Sequence, residues 1–493
     1  MYYLIVALLC VYLTYHFYWK RRNLPSGPVP VPLFGNLLAF IGNDPVDVFI
    51  QWKKKYGDIY TYWQGNTPIV TFNSTPTITE AFVGNSEVTS SRYCFHEFND
   101  YCRCGNGGII FQSGLKWKEQ RRFALKVFRN FGMGKNLMQQ KILEVVNPLL
   151  TDYKQNPAQN NVNNSISRAI GSVINSILFG YTFEGKHSEE YDRLEAMAKV
   201  HIEALGHPFT LISLQNPKFM AKVPFIGQRI REVRESAQNL KAFFHSQIVR
   251  HRQEIQFDTD QESHDYTEEY FREQRKRQEN GDNDSFSDQC LYTLCYDLWL
   301  AGQETTSNTI NWGLAYLSNL PHIQDTIHRE LDTVVGSDRT ITLSDKPGLT
   351  YLCATINETQ RIANLLPQNI WRRVDEDVTV NNTTVKKGTC IIPQISAVLY
   401  DDNVYKDPKT FNPNRFLDQK GQVKVDDNFM PFSIGRRSCL GESLAKMELF
   451  LFMANILNCF KISSEDGIPI NVERRLGVTV QMDTFNLKFT PRH

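Results

Sequence analysis

A mainly α-helical body with a smaller β part, behind one N-terminal transmembrane helix, is the fold class the sequence predicts. Three observations carry it. An uncharged apolar run, Tyr2 to Trp19, is closed at once by Lys20-Arg21-Arg22. A second apolar run without proline, about 288 to 320, is long enough for a helix of ~48 Å, which crosses a whole domain. Alternation of β-branched residues is concentrated between about 368 and 400.

The N-terminal run fits a helix of ~27 Å, close to the thickness of the endoplasmic reticulum bilayer. A cleaved signal peptide carries its charge before the apolar stretch and a small-residue site after it, whereas here the positive charge follows. Residues 1–22 are therefore expected to be a signal-anchor, with its start in the lumen and everything beyond it in the cytosol. Residues 23–36, LPSGPVPVPLFGN after Asn23, hold prolines that fix φ and remove donors, so a semi-rigid extended hinge is expected. The folded body follows over 37–493.

Within the body, 136–253 has helical spacing, and 254–287 is almost continuously polar and reads as exposed helix and loop. The run at 288–320 contains Asp297, Gln303, Glu304 and a Thr-Thr-Ser-Asn cluster, too polar for lipid, and so reads as a buried spine helix. Helices are expected at about 321–336, 348–364 and 440–458. With 41% hydrophobic and 22% charged residues the chain is neither disordered nor a multi-span membrane protein. A net charge of +1 gives no global reason to bind nucleic acid, so charge-driven docking must be local. The ten cysteines lack zinc spacing and disulfide density and read as reduced thiols; Cys102 and Cys104 read as a loop.

The strongest chemical signal is Phe432-Ser-Ile-Gly435-Arg-Arg437-Ser-Cys439-Leu-Gly441. A thiolate that ligates a metal inside a flat macrocycle needs a shielded cysteine of depressed pKa on tightly folded backbone. Gly435 permits the turn, Gly441 is expected to let the next helix approach, the helix N-terminus lies beside the sulfur, and Phe432 covers it. Glu358-Thr-Gln-Arg361 precedes the cysteine with Phe411-Asn-Pro-Asn-Arg415-Phe416 between them; ExxR by itself says little, since it also begins at Glu119, Glu190 and Glu269. Further blocks are Trp117-Lys-Glu-Gln-Arg121 and Ala301-Gly302-Gln303-Glu304-Thr305-Thr306. In the latter, a threonine hydroxyl can bond back to the carbonyl four residues earlier, here Thr305 to Ala301, and open the helix locally.

In this order these blocks resemble the cytochrome P-450 superfamily, from the hinge to the C-terminus, and look most like animal microsomal drug-metabolising members, nematode ones in particular. The resemblance implies the cytochrome P-450 fold, with heme b between the spine helix and the helix after Cys439, and Cys439 as the iron ligand. Trp117, Arg121, Arg437 and Arg372 are implied to contact the propionates, and Glu358, Arg361 and Arg415 to form a structural network. Ala301 is implied to line the oxygen notch, with Thr305 and Glu304 as the catalytic pair; Gln303 stands where many relatives have threonine. Pocket walls are implied at Cys94–Phe111, His201–Leu214, Leu294–Thr305, Leu366–Ile370 and Leu476–Thr479.

The activity so implied inserts one atom of O2 into a lipophilic substrate: a xenobiotic, fatty acid or steroid. Electrons come from NADPH through the FAD and FMN of cytochrome P-450 reductase, with cytochrome b5 as a second partner. Lys118, Arg122, Arg129, Phe131, Met133, Lys135, Arg436 and Lys446 match the docking face of relatives. Two other classes stay open: a peroxide isomerase or dehydratase of the same fold, which the intact Glu304-Thr305 disfavours, and a non-catalytic heme sensor or carrier, which the basic docking face disfavours.

Overall fold

The computed structural model describes the chain apart from residues 1, 104, 106, 133–135, 160, 256–262 and 476. Its centre is the helix Asp288–Asn319, started by Ser287, whose side chain accepts from the Cys290 N–H. The expected spine helix is thus present almost residue for residue. Trp299, Leu314, Leu317 and Trp312 are buried along it, and its polar residues are absorbed by protein rather than lipid. Two glycines set how closely its neighbours pack. A Cβ at Gly302 would lie 2.7 Å from Ile174 Cδ1 of helix Val162–Phe179, and one at Gly313 would lie 2.9 Å from Met453 Cε of helix Glu442–Cys459. Gly302 therefore serves helix packing.

The flanking helices Pro321–Val334, Thr350–Ala363 and Glu442–Cys459 also stand within two or three residues of their expected bounds. The region 254–287 differs. Its helix Tyr266–Glu279, capped by Asp265, buries Tyr266, Tyr270 and Phe271 instead of lying exposed. Phe123 meets Tyr266 and Tyr270 at 5.7 Å and Phe286 at 5.2 Å, an aromatic cluster worth more than the few polar contacts it displaces. Three aromatics at i, i+4 and i+5 were hidden in a polar composition.

The β part comprises a five-stranded sheet in the order Ile59–Gln64, Thr67–Phe72, Cys390–Pro393, Arg372–Arg373, Ser91–Arg92, and two smaller sheets. The expected strands of 368–400 fall in this sheet and in the hairpin Val378–Val380 with Thr383–Val385. In the antiparallel pair at the sheet's far end, Arg92 lies opposite Arg372.

The N-terminal helix is Tyr2–Phe17, 16 residues, and stops short of the expected Trp19. Among the described residues no helix is long and apolar enough to cross a membrane. After Phe17 the chain tightens into a 3-10 turn, Trp19–Arg21, because the basic residues find partners on the body: Lys20 sits 4.5 Å over the Trp63 ring, and Arg21 Nη2 donates to the Gly27 carbonyl at 3.2 Å. The proline-rich segment is likewise sewn down. Asn36 exchanges backbone and side-chain bonds with Trp63 at 2.7 and 2.8 Å, and a Cβ at Gly27 would collide with the Thr61 carbonyl.

Candidate functional site

The Cys439 loop is shaped by two residues in left-handed backbone, Ser433 at φ 61° and Gly435 at φ 75°. A Cβ at Gly435 would strike the Phe82 carbonyl oxygen, so that position admits only glycine. The turn Gly435–Arg437 closes on itself through Cys439 N–H donating to Phe432 O at 2.9 Å. Gly441 departs from expectation: its φ is −88°, and no protein atom lies within 4 Å of a Cβ built there, so protein packing is not what requires it.

Gly441 caps helix Glu442–Cys459. Burial holds the Cys439 thiol above its ordinary pKa, against the depressed value the motif suggested; the backbone N–H groups of Gly441 and Glu442 and the charge of Arg121 favour the thiolate but are outweighed. A coordinated metal cation deprotonates such a thiol outright. Cys439 nonetheless carries accessible surface, as does Ala301 in the middle of the core helix. The Phe432 ring lies 5.5 Å beneath Lys446 Nζ.

Around this loop four guanidinium groups converge. Arg437 stacks 3.5 Å over the Trp117 ring and donates to Ser90 O at 2.7 Å and Gln112 O at 2.6 Å. Arg121 donates to Ser438 O at 2.8 Å. Arg372 is 1% exposed, and among the described residues its Nε and Nη1 have no acceptor; the Trp117 Nε1 has none there either. Arg92, which no local motif announces, donates to Ile110 O and Ile370 O. Burial first, then mutual repulsion, pulls Arg437 down to about 8, Arg92 down to about 10, and Arg372 well below its usual range. Among the described residues none of the four is paired with a carboxylate.

A buried cluster of cations facing each other across a strand pair is unfavourable unless an anion completes it. Two carboxylates of a dianionic macrocycle, seated with Cys439 on the other side, match the donor set. The residues present therefore fit heme. Register, not local sequence, brings Arg92 to this cluster.

The chain belongs to the cytochrome P450 family. The family model, described as Cytochrome P450, matches residues 25–489. The chain is 32% identical to cytochrome P450 2C16 of Oryctolagus cuniculus, over 94% of this chain and 93% of the relative. It is 34% identical to cytochrome P450 2K1 of Oncorhynchus mykiss, over 91% and 87%, and 32% identical to cytochrome P450 2B2 of Rattus norvegicus, over 96% and 95%. The protein is thus an oxidoreductase of the P450 monooxygenase class. The finer likeness to nematode members is not shown by these relatives.

On the spine helix Thr305 Oγ1 donates to Ala301 O at 2.7 Å, the expected back-bond, while the helix stays continuous through it. Gln303 turns away from the notch. Two residues from both Ala301 and Thr305 is ~200° around a helix, and its side chain lies beside Gly171, where the Tyr191 ring also packs. Thr306 faces the helix Glu442–Cys459, where burial pushes the Glu448 carboxyl up to about 8 and the nearby Thr306 hydroxyl favours its ionised form only weakly. Glu304 Oε1 accepts from Asn308, Thr479 and Gln481.

Two contacts join implied pocket segments: His201 bonds Tyr296 at 2.5 Å, and a Cβ at Gly206 would lie 3.2 Å from Gly477 Cα. Within its own segment Cys94 Sγ donates to Phe111 O at 2.8 Å. Leu476 lies outside the described residues. Sequence reading missed the buried ion pair of Arg103 with Asp297, whose other oxygen accepts the Ile109 and Ile110 N–H groups and so ties the 94–111 segment to the spine helix.

The expected network is present. Glu358 and Arg361 are fully buried, joined at 2.7 and 2.9 Å, and Arg415 Nε reaches Glu358 Oε1 at 3.0 Å. Arg361 also donates to Leu399 O and Pro408 O, and Asn412 N–H to Glu358. One carboxylate neutralises two arginines that hold the segment 399–416 in place. Glu358→Ala is expected to lower stability by ~3–5 kcal/mol, the cost of leaving a buried charge unpaired. The midpoint of chemical unfolding measures it, and an unchanged midpoint refutes this role.

Of the expected docking residues, Lys118, Arg122 and Arg129 are exposed on helix Gly114–Asn130, joined by Lys126 on the same stripe. Arg436 and Lys446 are exposed but paired with Glu87 and Glu442, both at 2.8 Å or less. Phe131 is 8% exposed, in the core, and leaves the docking set. Met133 and Lys135 lie outside the described residues.

Proposed function

We propose that the protein is a membrane-attached monooxygenase of the endoplasmic reticulum that binds heme b through Cys439 and oxidises lipophilic molecules: xenobiotics, fatty acids or steroids. The observation that carries the heme reading is the cluster of buried Arg92, Arg372 and Arg437 with half-buried Arg121, complete only with an anion. Arg121, Arg372, Arg437 and Trp117 Nε1 would hold the propionates, and Phe432 and Ala301 would flank the macrocycle. Heme so bound supplies O2 binding and O–O cleavage, favoured by the thiolate.

The rest of the chain's part is to hold, orient and exclude. Thr305 keeps a hydroxyl one turn above Ala301 and Glu304 sets a carboxylate beside it, the pair that manages protons on the O2 side. Apolar surface supports membrane attachment: Leu4, Ile5, Leu8 and Val11 of the first helix are exposed, as are Leu33, Phe219 and Phe225. The last three share one region, since Gly65 approaches both Leu33 O and Ile212, and Gln215 donates to Thr67 at 2.9 Å. A basic stripe on Gly114–Asn130 favours an acidic electron donor, NADPH–cytochrome P450 reductase, with cytochrome b5 as a second.

The test is the reduced, CO-bound spectrum of the purified protein, followed by turnover with reductase and NADPH under 18O2 across a panel of polyunsaturated fatty acids, steroids and xenobiotics. One labelled oxygen in the product is expected; absence of heme uptake or of label overturns the reading. For the docking stripe, the Arg122→Glu, Arg129→Glu double variant is expected to slow reductase-supported turnover about tenfold and flatten its salt dependence, while peroxide-supported turnover stays at the wild-type rate. Equal loss in both assays refutes docking as the cause.

A further inference from the structure

Glu304 does not stand free beside Thr305. Its Oε1 accepts three hydrogen bonds, from Asn308 Nδ2 at 2.9 Å, Thr479 Oγ1 at 2.9 Å and Gln481 Nε2 at 2.8 Å. All three donors are neutral, and among the described residues no ion pair holds the carboxylate. Among the described residues its Oε2 takes no hydrogen bond, and it is not among the buried unpaired atoms, so it remains accessible.

Thr479 and Gln481 belong to a C-terminal loop that is closed by its own backbone. Arg475 N–H donates to Gln481 O at 2.9 Å, Gln481 N–H returns to Arg475 O at 3.0 Å, and Val480 N–H donates to Leu365 O at 2.9 Å. Thr479 is 4% exposed. The tip of the loop, Gly477, lies against Gly206 at the end of helix Ser188–Gly206, a contact that a Cβ at Gly206 would crowd. The loop therefore touches two places at once: the end of a helix on the pocket wall and the carboxylate beside Thr305.

We infer that Thr479 and Gln481 are positioning residues that latch Glu304. By occupying Oε1 they leave Oε2 as the oxygen presented alongside Thr305, and so set how completely consumed O2 is converted to product. The latch also makes that conversion depend on substrate shape. A substrate that wedges between Gly206 and Gly477 moves the loop and with it the donors to Glu304, while one lying clear of the loop leaves the carboxylate fixed. This inference rests on the monooxygenase reading above.

Two measurements test it. The first needs no turnover: hydrogen exchange of the Arg475, Val480 and Gln481 amides in heme-loaded Glu304→Ala and wild type. Loss of the shared acceptor is expected to speed exchange of these amides about tenfold or more, since hydrogen bonds to a charged group are among the stronger ones.

The second compares product formed with peroxide released per NADPH in the Thr479→Val, Gln481→Leu double variant. Product per NADPH is expected to fall about threefold to tenfold with peroxide rising to match, kcat for product falling more than KM changes, and the CO-bound spectrum intact. Thr479→Ser, which keeps the donor, is expected to behave as wild type. Unchanged exchange in Glu304→Ala overturns the latch. Faster exchange with wild-type conversion in the double variant overturns the positioning role and leaves a purely structural tie. Failure of the monooxygenase reading is distinct: wild type itself then forms no oxygenated product from NADPH and O2, whereas the exchange measurement still reports the contact.

Discussion

Cys439→Ala is expected to fold and yet to lose the strongly red-shifted Soret band of its reduced, CO-bound form completely. Only the sulfur is removed. The turn that presents it is built from Gly435, Ser433 and the Cys439 N–H bond to Phe432 O, none of which needs the thiol. The arginine cluster that would hold the propionates is also intact, so some heme is expected to remain bound. What disappears is the electron donation of a thiolate, on which the band and O–O cleavage depend. Circular dichroism checks folding, and the CO difference spectrum reads the outcome. A band of wild-type position and intensity in Cys439→Ala would show that another residue holds the iron.

The second large effect is expected for Thr305→Ala. Its hydroxyl now donates to Ala301 O at 2.7 Å, one turn below it, at the point where the core helix carries accessible surface. Removing it deletes the hydroxyl that, on the proposed reading, holds oxygen and an ordered water, while the helix, packed by Gly302 and Gly313, keeps its course. Heme uptake and the CO spectrum should stay as in wild type and NADPH consumption should continue. Product per NADPH should fall by ~10²-fold, the usual weight of a positioned proton donor, with hydrogen peroxide accounting for the reducing equivalents.

Thr306, its neighbour, is an unsuitable control, since it is buried and its hydroxyl lies toward the buried Glu448 carboxyl. Thr306→Ala therefore perturbs helix packing. Thr309 is the apt comparison, since it makes the same kind of back-bond, to Thr305 O at 2.8 Å, one turn further on. Full conversion to product in Thr305→Ala would assign the notch a structural role only.

Much of this protein is legible without coordinates, because its chemistry depends on short stretches of chain. A thiol in a turn that only glycine can make, a hydroxyl four residues from the carbonyl it bonds, and a glutamate three residues from its arginine are local relations. Helical periodicity and turn chemistry determine them. The spine helix was equally readable, since a 32-residue apolar run without proline has few other ways to bury itself.

Relations between distant segments were decided only by the tertiary structure. Arg92 joined the buried arginines because strand register sets it opposite Arg372. Gln303 left the notch because helix rotation aims it at Tyr191. Phe131 left the docking face for the core, the polar segment 266–279 buried three aromatics, and the basic residues after the first helix were drawn onto Trp63 and Gly27. Glu304 acquired Thr479 and Gln481 from the far end of the chain. In each case the partner is set by packing and register among elements far apart in sequence, which local propensity does not encode.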